Sequence, residues 1–343
     1  DGVTCPLLAR KLGAMDTTAT GQEFREDRRR QAAPLPGSTV RALSAINPWR
    51  AAWSIAETVG VILVAIAFAV TYWQIWVIVP VVVLIASRQQ ALFVLVHDAA
   101  HYRMFKARWL NDLAGRLLAM PVGISMCTYR VVHRLHHNHL FERRDPDMAL
   151  IAGYPRGKRY LFGKLVKDMA GLTAWKTYKY FFGAPVINDD AAAANRPLDD
   201  TAPALRRAAR HDRWWVVAWH LAALAAAIAS GYWVEYLVLW VLPLVTVLQA
   251  ILRLRAILEH GAVTDTGSPL TAARTNLGPA WLMWFLFPHH VNYHIEHHLL
   301  PSIPHYNLPR CHAELAAAGA LDRAEVRRVG SSLARVLADP APA

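Results

Sequence analysis

The sequence predicts an all-α integral membrane protein, with four transmembrane helices in two hairpins and a cytoplasmic helical cap holding a histidine-rich two-metal site. Two observations carry this prediction. Hydrophobic residues make up 55% of the 343 residues and concentrate in two long uncharged stretches. Three histidine clusters follow those stretches at helical spacing: His97-Asp98-Ala99-Ala100-His101, His133-Arg134-Leu135-His136-His137 and His294-Ile295-Glu296-His297-His298.

From Ala51 to Ser87 there is no Lys or Arg and a single acid, Glu57; from Trp214 to Leu252 the only charged residue is Glu235. One span needs about 20 apolar residues, so each stretch is long enough for a hairpin, with spans at about 53–71, 75–96, 214–230 and 233–254. The turns fall at Thr71 to Gln74 and Ser230 to Trp233, and neither carries a basic residue. The basic residues behind the net charge of +12 lie before, between and after the two stretches. By the positive-inside rule those regions are cytoplasmic, and every histidine cluster lies among them. Trp73, Trp76 and Trp233 mark one interface; Trp49, Trp53, Trp214 and Trp215 mark the other.

The chain divides into a basic N-terminal tail (1–45), a membrane domain (46–312) and a C-terminal helical tail (313–343). The tail's Thr, Ala, Gly and Pro mixture and its Arg28-Arg29-Arg30 run read as solvated and poorly ordered. No apolar core of signal-peptide type occurs there, and Met15 is a candidate natural start. Three cysteines, Cys5, Cys127 and Cys311, form no C-x-x-C pair, which gives no support to disulfides, zinc knuckles or a built-in iron–sulfur cluster. Electrons therefore come from another protein.

Residues three and four apart share a helix face, so each cluster aims two or three imidazoles at one centre. Imidazole suits iron, copper, zinc or nickel rather than magnesium or calcium. Eight histidines exceed the needs of one ion, and two metals sharing them is the economical reading. The bland alternative, ordinary interfacial histidines, suits a single pair better than three coincident clusters. His260 ends the last span in Glu259-His260, and by spacing alone it reads equally as a ligand or as a structural residue. Asp98, Asp145, Asp147, Glu259 and Glu296 are candidates to accept the second ring N–H and fix tautomers. His290 and Asn292 are further candidates to touch a metal, directly or through water, whereas His211, His220, His289, His305 and His312 take the structural reading.

The H-x-x-x-H, H-x-x-H-H and H-x-x-H-H series, with Asn292-Tyr293-His294-Ile295-Glu296-His297-His298-Leu299-Leu300-Pro301, resembles the membrane fatty acid desaturase superfamily. So do His136-His137 followed by Asp145-Pro146-Asp147, and the Glu259-His260 pair. The resemblance covers roughly Trp53 to His312 and implies a non-haem di-iron oxygenase with O2 as co-substrate. It implies His97, His101, His133, His136, His137, His294, His297 and His298 as iron ligands and His260 as a ninth. The His-Pro-Gly-Gly haem motif of fused cytochrome b5 domains is missing from the sequence, so the implied electron donor is external, such as a ferredoxin with its reductase.

Abstracting hydrogen from an unactivated methylene needs a strong oxidant, which iron with O2 supplies and redox-inert zinc does not. The expected activity is desaturation of the acyl chain of a fatty acid or lipid. A hydroxylase or ketolase of the same superfamily, acting on a fatty acid, sterol-like lipid or carotenoid, is the alternative. A metal transporter is more remote, because its ligands would line a path at the bilayer midplane, where only His220 lies. An apolar substrate tunnel would have to be lined by span residues and the segment around Trp281, Trp284 and Phe285, although each of these aromatics taken singly reads better as part of a plain interfacial belt. The basic face fits an acidic donor or anionic headgroups, with no sign of nucleic-acid binding. The Ala, Arg and Pro richness suggests a bacterial cytoplasmic membrane.

Overall fold

The computed structural model describes residues 35–142, 145–182 and 203–340. Cys5, Met15 and the Arg28-Arg29-Arg30 run lie outside them.

Four helices are long and apolar enough to cross a membrane: α2 (Pro48–Thr71), α3 (Ile75–Ala100), α8, whose Arg207–Ser230 portion qualifies within Pro203–Ser230, and α9 (Trp233–His260). The hairpin turns fall where sequence places them, at residues 72–74 and 231–232. The helices overrun the uncharged stretches at the ends away from these turns, and those overruns carry His97 and His260. Asn47 fixes the start of α2 by accepting from the backbone N–H of Trp49 and Arg50, with Pro48 at the first helical position. Leu63, Val64 and Phe68 of α2, and Leu221 and Ile228 of α8, stand exposed, as side chains facing lipid do.

α3 is the central post. Every residue from Ile85 to Ala100 is buried, and the helix touches α2, α9, α4 (Arg108–Ala119), α5 (Met126–His139) and α10 (Ala280–Leu286). Its polar run Ser87-Arg88-Gln89-Gln90 is buried because carbonyls need it there. Ser87 donates to the Phe285 carbonyl at 2.7 Å, Gln90 to Leu286 at 2.6 Å, Gln89 to Trp240 at 3.0 Å, and Arg88 to Trp284. The open carbonyl end of the short helix α10 is thereby closed without water. At seven residues α10 is too short to cross a membrane, and this clasp is what holds it.

α9 is not regular: a π segment spans Leu237–Val241, Pro243 follows, and Thr246 breaks the ladder. The Leu244 carbonyl freed nearby accepts from Gln249 at 2.6 Å and from the Tyr178 hydroxyl at 3.1 Å. Tyr178 comes from α7 (Ala174–Phe181), which follows α6 (Lys158–Met169).

The moderately apolar stretch from Leu110 to Cys127 comprises the end of α4, a 3-10 turn at Met120–Val122 and the start of α5. Pro121 and Gly123, with φ +76°, break it. Among the described residues the fold is helical apart from one two-stranded parallel sheet, β1 (Thr275–Leu277) with β2 (Val326–Arg328), which no sequence pattern announced. Two more helices, α12 (Leu308–Ala317) and α13 (Val329–Val336), complete the C-terminal side. Gly37–Leu43, inside the expected tail, forms helix α1 and buries Leu43 beside Leu308 and Leu315 of α12.

Candidate metal centre

Each histidine-bearing segment is held in place by its own clamp. Arg130 of α5, itself buried, donates to the carbonyls of Ala99 and Ala100 at 3.1 and 3.2 Å, so it closes the end of α3 beside His97 and His101. Ser125 caps α5 by accepting from the Thr128 N–H. Asp212 of α8 accepts from Ser125 Oγ, the Cys127 N–H and Arg116 Nε, and places a carboxylate at that positive helix end. Arg274, fully buried, donates to the carbonyls of Leu258, Gly261 and Ala262 and so fixes the end of α9 at His260. Thr275 caps helix α11 (His294–Leu299) by accepting from the Ile295 N–H while donating to Glu296 at 2.6 Å.

These clamps bring all nine histidines singled out from sequence into two adjoining nests. The ring nitrogens of His97, His101, His133, His137 and His297 lie within 4.8 Å of one another, and those of His136, His260, His294 and His298 do the same. In the first nest His297 Nε2 is 2.8 Å from the Nε2 of both His97 and His137, and His101 Nε2 is 2.8 Å from His133 Nε2. In the second, His260 Nε2 stands 2.8 Å from His294 Nε2 and 3.2 Å from His136 Nε2.

The chemistry of this donor set fits a pair of metal ions. His260 Nδ1 faces the Ala272 carbonyl at 3.0 Å, and a carbonyl only accepts, so the ring proton is on Nδ1 and Nε2 carries a lone pair. His136 Nδ1 faces Asp145 Oδ1 at 2.9 Å, which likewise turns its Nε2 inward. Lone pairs 3.2 Å apart repel, and a cation between them removes the repulsion. Burial and the charges of neighbouring rings push His101, His133, His137, His294, His297 and His298 well below the ordinary imidazole pKa, toward the neutral form that binds metals. His136 is the exception. Burial lowers its pKa, but Asp145, Asp147 and Glu259 overcome this and push it up to about 9. Without a metal, a proton on His136 would take the cation's place.

The carboxylates divide. Asp145 supports His136 directly and also accepts from the backbone of Phe141 and Asp147. Asp147 approaches His136 Nδ1 at 3.5 Å, and Asp98 lies at the same distance from His97 Nδ1. Glu259 Oε2 is 3.8 Å from His294 Nε2. Glu296 turns away from the nests toward Thr275 and His312, the latter at 2.5 Å, so it braces α11 instead of orienting a ring as expected. His290 is exposed and Asn292 Nδ2 donates to the Asn276 carbonyl, so neither joins a nest. Two histidines given a structural reading are nevertheless tied to the centre's support: His305 donates through its backbone N–H and Nδ1 to Asp98, and His312 contacts Glu296. Replacement of Asp145 by Asn is expected to weaken metal retention about 10–100-fold, as for other outer-shell partners, read by competition with a chelator. Unchanged retention would remove Asp145 from this role.

Against both nests lies a cavity of about 410 Å³, bordered by Phe93, Val132, Phe181 and Leu252 as well as by polar side chains. Trp281, Trp284 and Phe285 do not line it: Trp281 and Trp284 sit on the outer face, 70% and 42% exposed, which fits the belt reading rather than the tunnel wall. The cavity is walled instead by α3, α5, α7 and α9.

Residues 71–329 match the family model described as fatty acid desaturase. The chain belongs to that family. This desaturase-family protein is 26% identical to the dihydrorhizobitoxine desaturase of Bradyrhizobium elkanii, over 68% of this chain and 66% of that protein. It is 23% identical to an sn-1 acyl-lipid omega-3 desaturase (ferredoxin) of Nostoc sp., over 72% and 70%, and 25% identical to human fatty acid desaturase 3, over 66% and 52%. Its matched region thus spans about two thirds of the first two relatives and about half of the third. These relatives make the protein a desaturase-type oxidoreductase, and its two nests form a candidate metal site.

Proposed function

We propose that this protein is a membrane-bound, iron- and O2-dependent desaturase acting on the acyl chain of a fatty acid or lipid. The observation that carries the reading is the convergence of nine imidazoles, in sets of five and four, beside a cavity of about 410 Å³ that His97, His133, His136, His260 and His294 line. His97, His101, His133, His137 and His297 would hold one iron, and His136, His260, His294 and His298 the other. Bound there, the iron pair supplies O2 activation, which no amino-acid side chain provides. The electron balance is simple: adjacent methylenes yield two electrons and two protons as the double bond forms, an external donor adds two electrons, and solvent adds two protons. O2 leaves as two waters. A ferredoxin is the fitting donor, since one relative's name carries that word and the chain's net charge of +12 suits an acidic partner. The same basic segments put the nests on the cytoplasmic side by the positive-inside rule.

The protein's own residues orient and exclude. The clamps fix the rings, and Phe93, Phe181 and Leu252 offer apolar contact that keeps the reacting carbons out of water. The test pairs metal analysis of the purified protein with product analysis using a reduced ferredoxin. About two irons per chain and a product two hydrogens poorer support the reading; a product with added oxygen makes the protein a hydroxylase; zinc with no oxidised product overturns both.

A further inference from the structure

The cavity beside the nests is unlike a plain hydrocarbon tunnel, because its wall carries Asp147, Arg253, Arg255 and Glu259. Charges facing a methylene chain are costly unless something pairs with them. Arg253 has its partner, two contacts to Asp168. Arg255 is different. Its Nε lies 3.2 and 3.3 Å from the two Glu259 oxygens, and among the described residues Nη1 and Nη2 have no hydrogen-bond partner. The side chain is only 17% exposed and that of Glu259 3%, so this is no solvated surface pair of the usual i,i+4 kind. A guanidinium stays charged and presents five donors in a planar fork.

We propose that Arg255 anchors an anion subsite, and that the substrate is a short free organic acid whose carboxylate lies on this fork a few carbons from the bond oxidised. This rests on the oxidative reading given above. Position sets the shortness. Glu259 links the guanidinium to the second nest, its Oε1 3.2 Å from Arg255 Nε and its Oε2 3.8 Å from His294 Nε2. An acid held in a two-point contact by Nη1 and Nη2 therefore starts its carbon chain beside the nests. Volume favours a carboxylate over a lipid phosphate. At about 410 Å³ the cavity is at the small end of ligand pockets, roughly 300–1,000 Å³, and a phospholipid would bring glycerol and a second chain with its phosphate. Toward solvent the cavity reaches exposed Lys176 and half-buried Lys164, which favours entry of an anion.

The test uses the iron-loaded protein in nanodiscs without O2, titrated with hexanoate and with hexan-1-ol, which matches it in length but carries no charge. Wild-type protein is expected to bind hexanoate at least tenfold more tightly than hexan-1-ol. Arg255→Gln is expected to remove that preference, with iron content unchanged and hexan-1-ol binding unaltered. Arg255→Lys, which keeps the charge but loses the fork, should fall between and guards against a variant that fails to fold. Equal binding of hexanoate by wild type and Arg255→Gln overturns the subsite. Admitting O2 and a reduced donor separates the two readings. Oxidation of a long-chain phospholipid that Arg255→Gln leaves intact overturns the short-acid proposal and keeps the oxidative function. Arg255-dependent hexanoate binding with no oxidation of any chain keeps the subsite and removes that function.

Discussion

His297→Ala is expected to empty the first nest, halve the metal content and reduce substrate oxidation to background. No other ring in that nest has 2.8 Å contacts to partners on two different helices, His97 on α3 and His137 on α5. Removing it leaves four rings around a gap, with Nε2 atoms that have lost their common neighbour. Outer-shell changes cost about 10–100-fold in metal affinity or activity, and loss of a direct donor should exceed that. The second nest keeps its four histidines, so retention of one ion there is the expected signature. Elemental analysis with turnover on the same preparation checks this, with exposed His211→Ala as the unaffected control. Full metal and full turnover in His297→Ala would remove the first nest from the chemistry.

Arg274→Met is expected to cost about 3–5 kcal/mol of stability, the usual penalty for breaking a buried ion pair from one side. The substitution deprives the carbonyls of Leu258, Gly261 and Ala262 of their donor and leaves Glu325, only 3% exposed, short of a cation. Thermal unfolding in detergent measures the loss, and a change under about 1 kcal/mol would mean that water replaces the guanidinium. Acid weakens the same knot. Burial pushes the Glu325 carboxyl up, but the Arg327 hydrogen bond and the charges of Arg274, Arg327 and Arg335 hold it below the usual glutamate value. A depressed folded pKa means that its contribution is complete above the unfolded value of about 4.3 and is lost as pH falls through the folded one. The difference between wild type and Glu325→Gln should therefore shrink below about pH 4.

Spans, turns and the eight clustered histidines are legible because each follows from a local pattern, absence of charge over two helix lengths or imidazoles one turn apart, whereas His260 stands alone and was singled out as a ligand only by the family resemblance. What escaped depends on pairing across the chain. The carbonyl partners of Ser87, Arg88 and Gln90 lie almost 200 positions away and that of Gln89 lies 151 away. His305 sits in a loop-like sequence, and nothing near it announces that it binds Asp98, 207 residues earlier. Glu296 has metal-site spacing on its helix but points to the other face, toward Thr275 and His312. Trp281 and Trp284 could be read from sequence as tunnel wall or as belt, and they stand on the outer face because α10 packs its other side against α3. Arg255 was visible four residues before Glu259. Only the cavity turns that pair from a helix ornament into a wall of the site.

The nests draw on distant parts of one chain, and this bears on how the molecule holds together. His97 and His297, whose nitrogens touch, are 200 residues apart, and His136 and His260 are 124 apart. An ion shared by such pairs closes very long loops, so it acts on the unfolded chain as a cross-link would, by removing conformations available before folding. The two hairpins share no short connection, and α3 from one and α9 from the other both end at the centre. Bound metal would thus rivet the two halves of the membrane bundle at one end, leaving the opposite turns free to splay. Metal starvation would then loosen the protein's architecture as well as silence its chemistry.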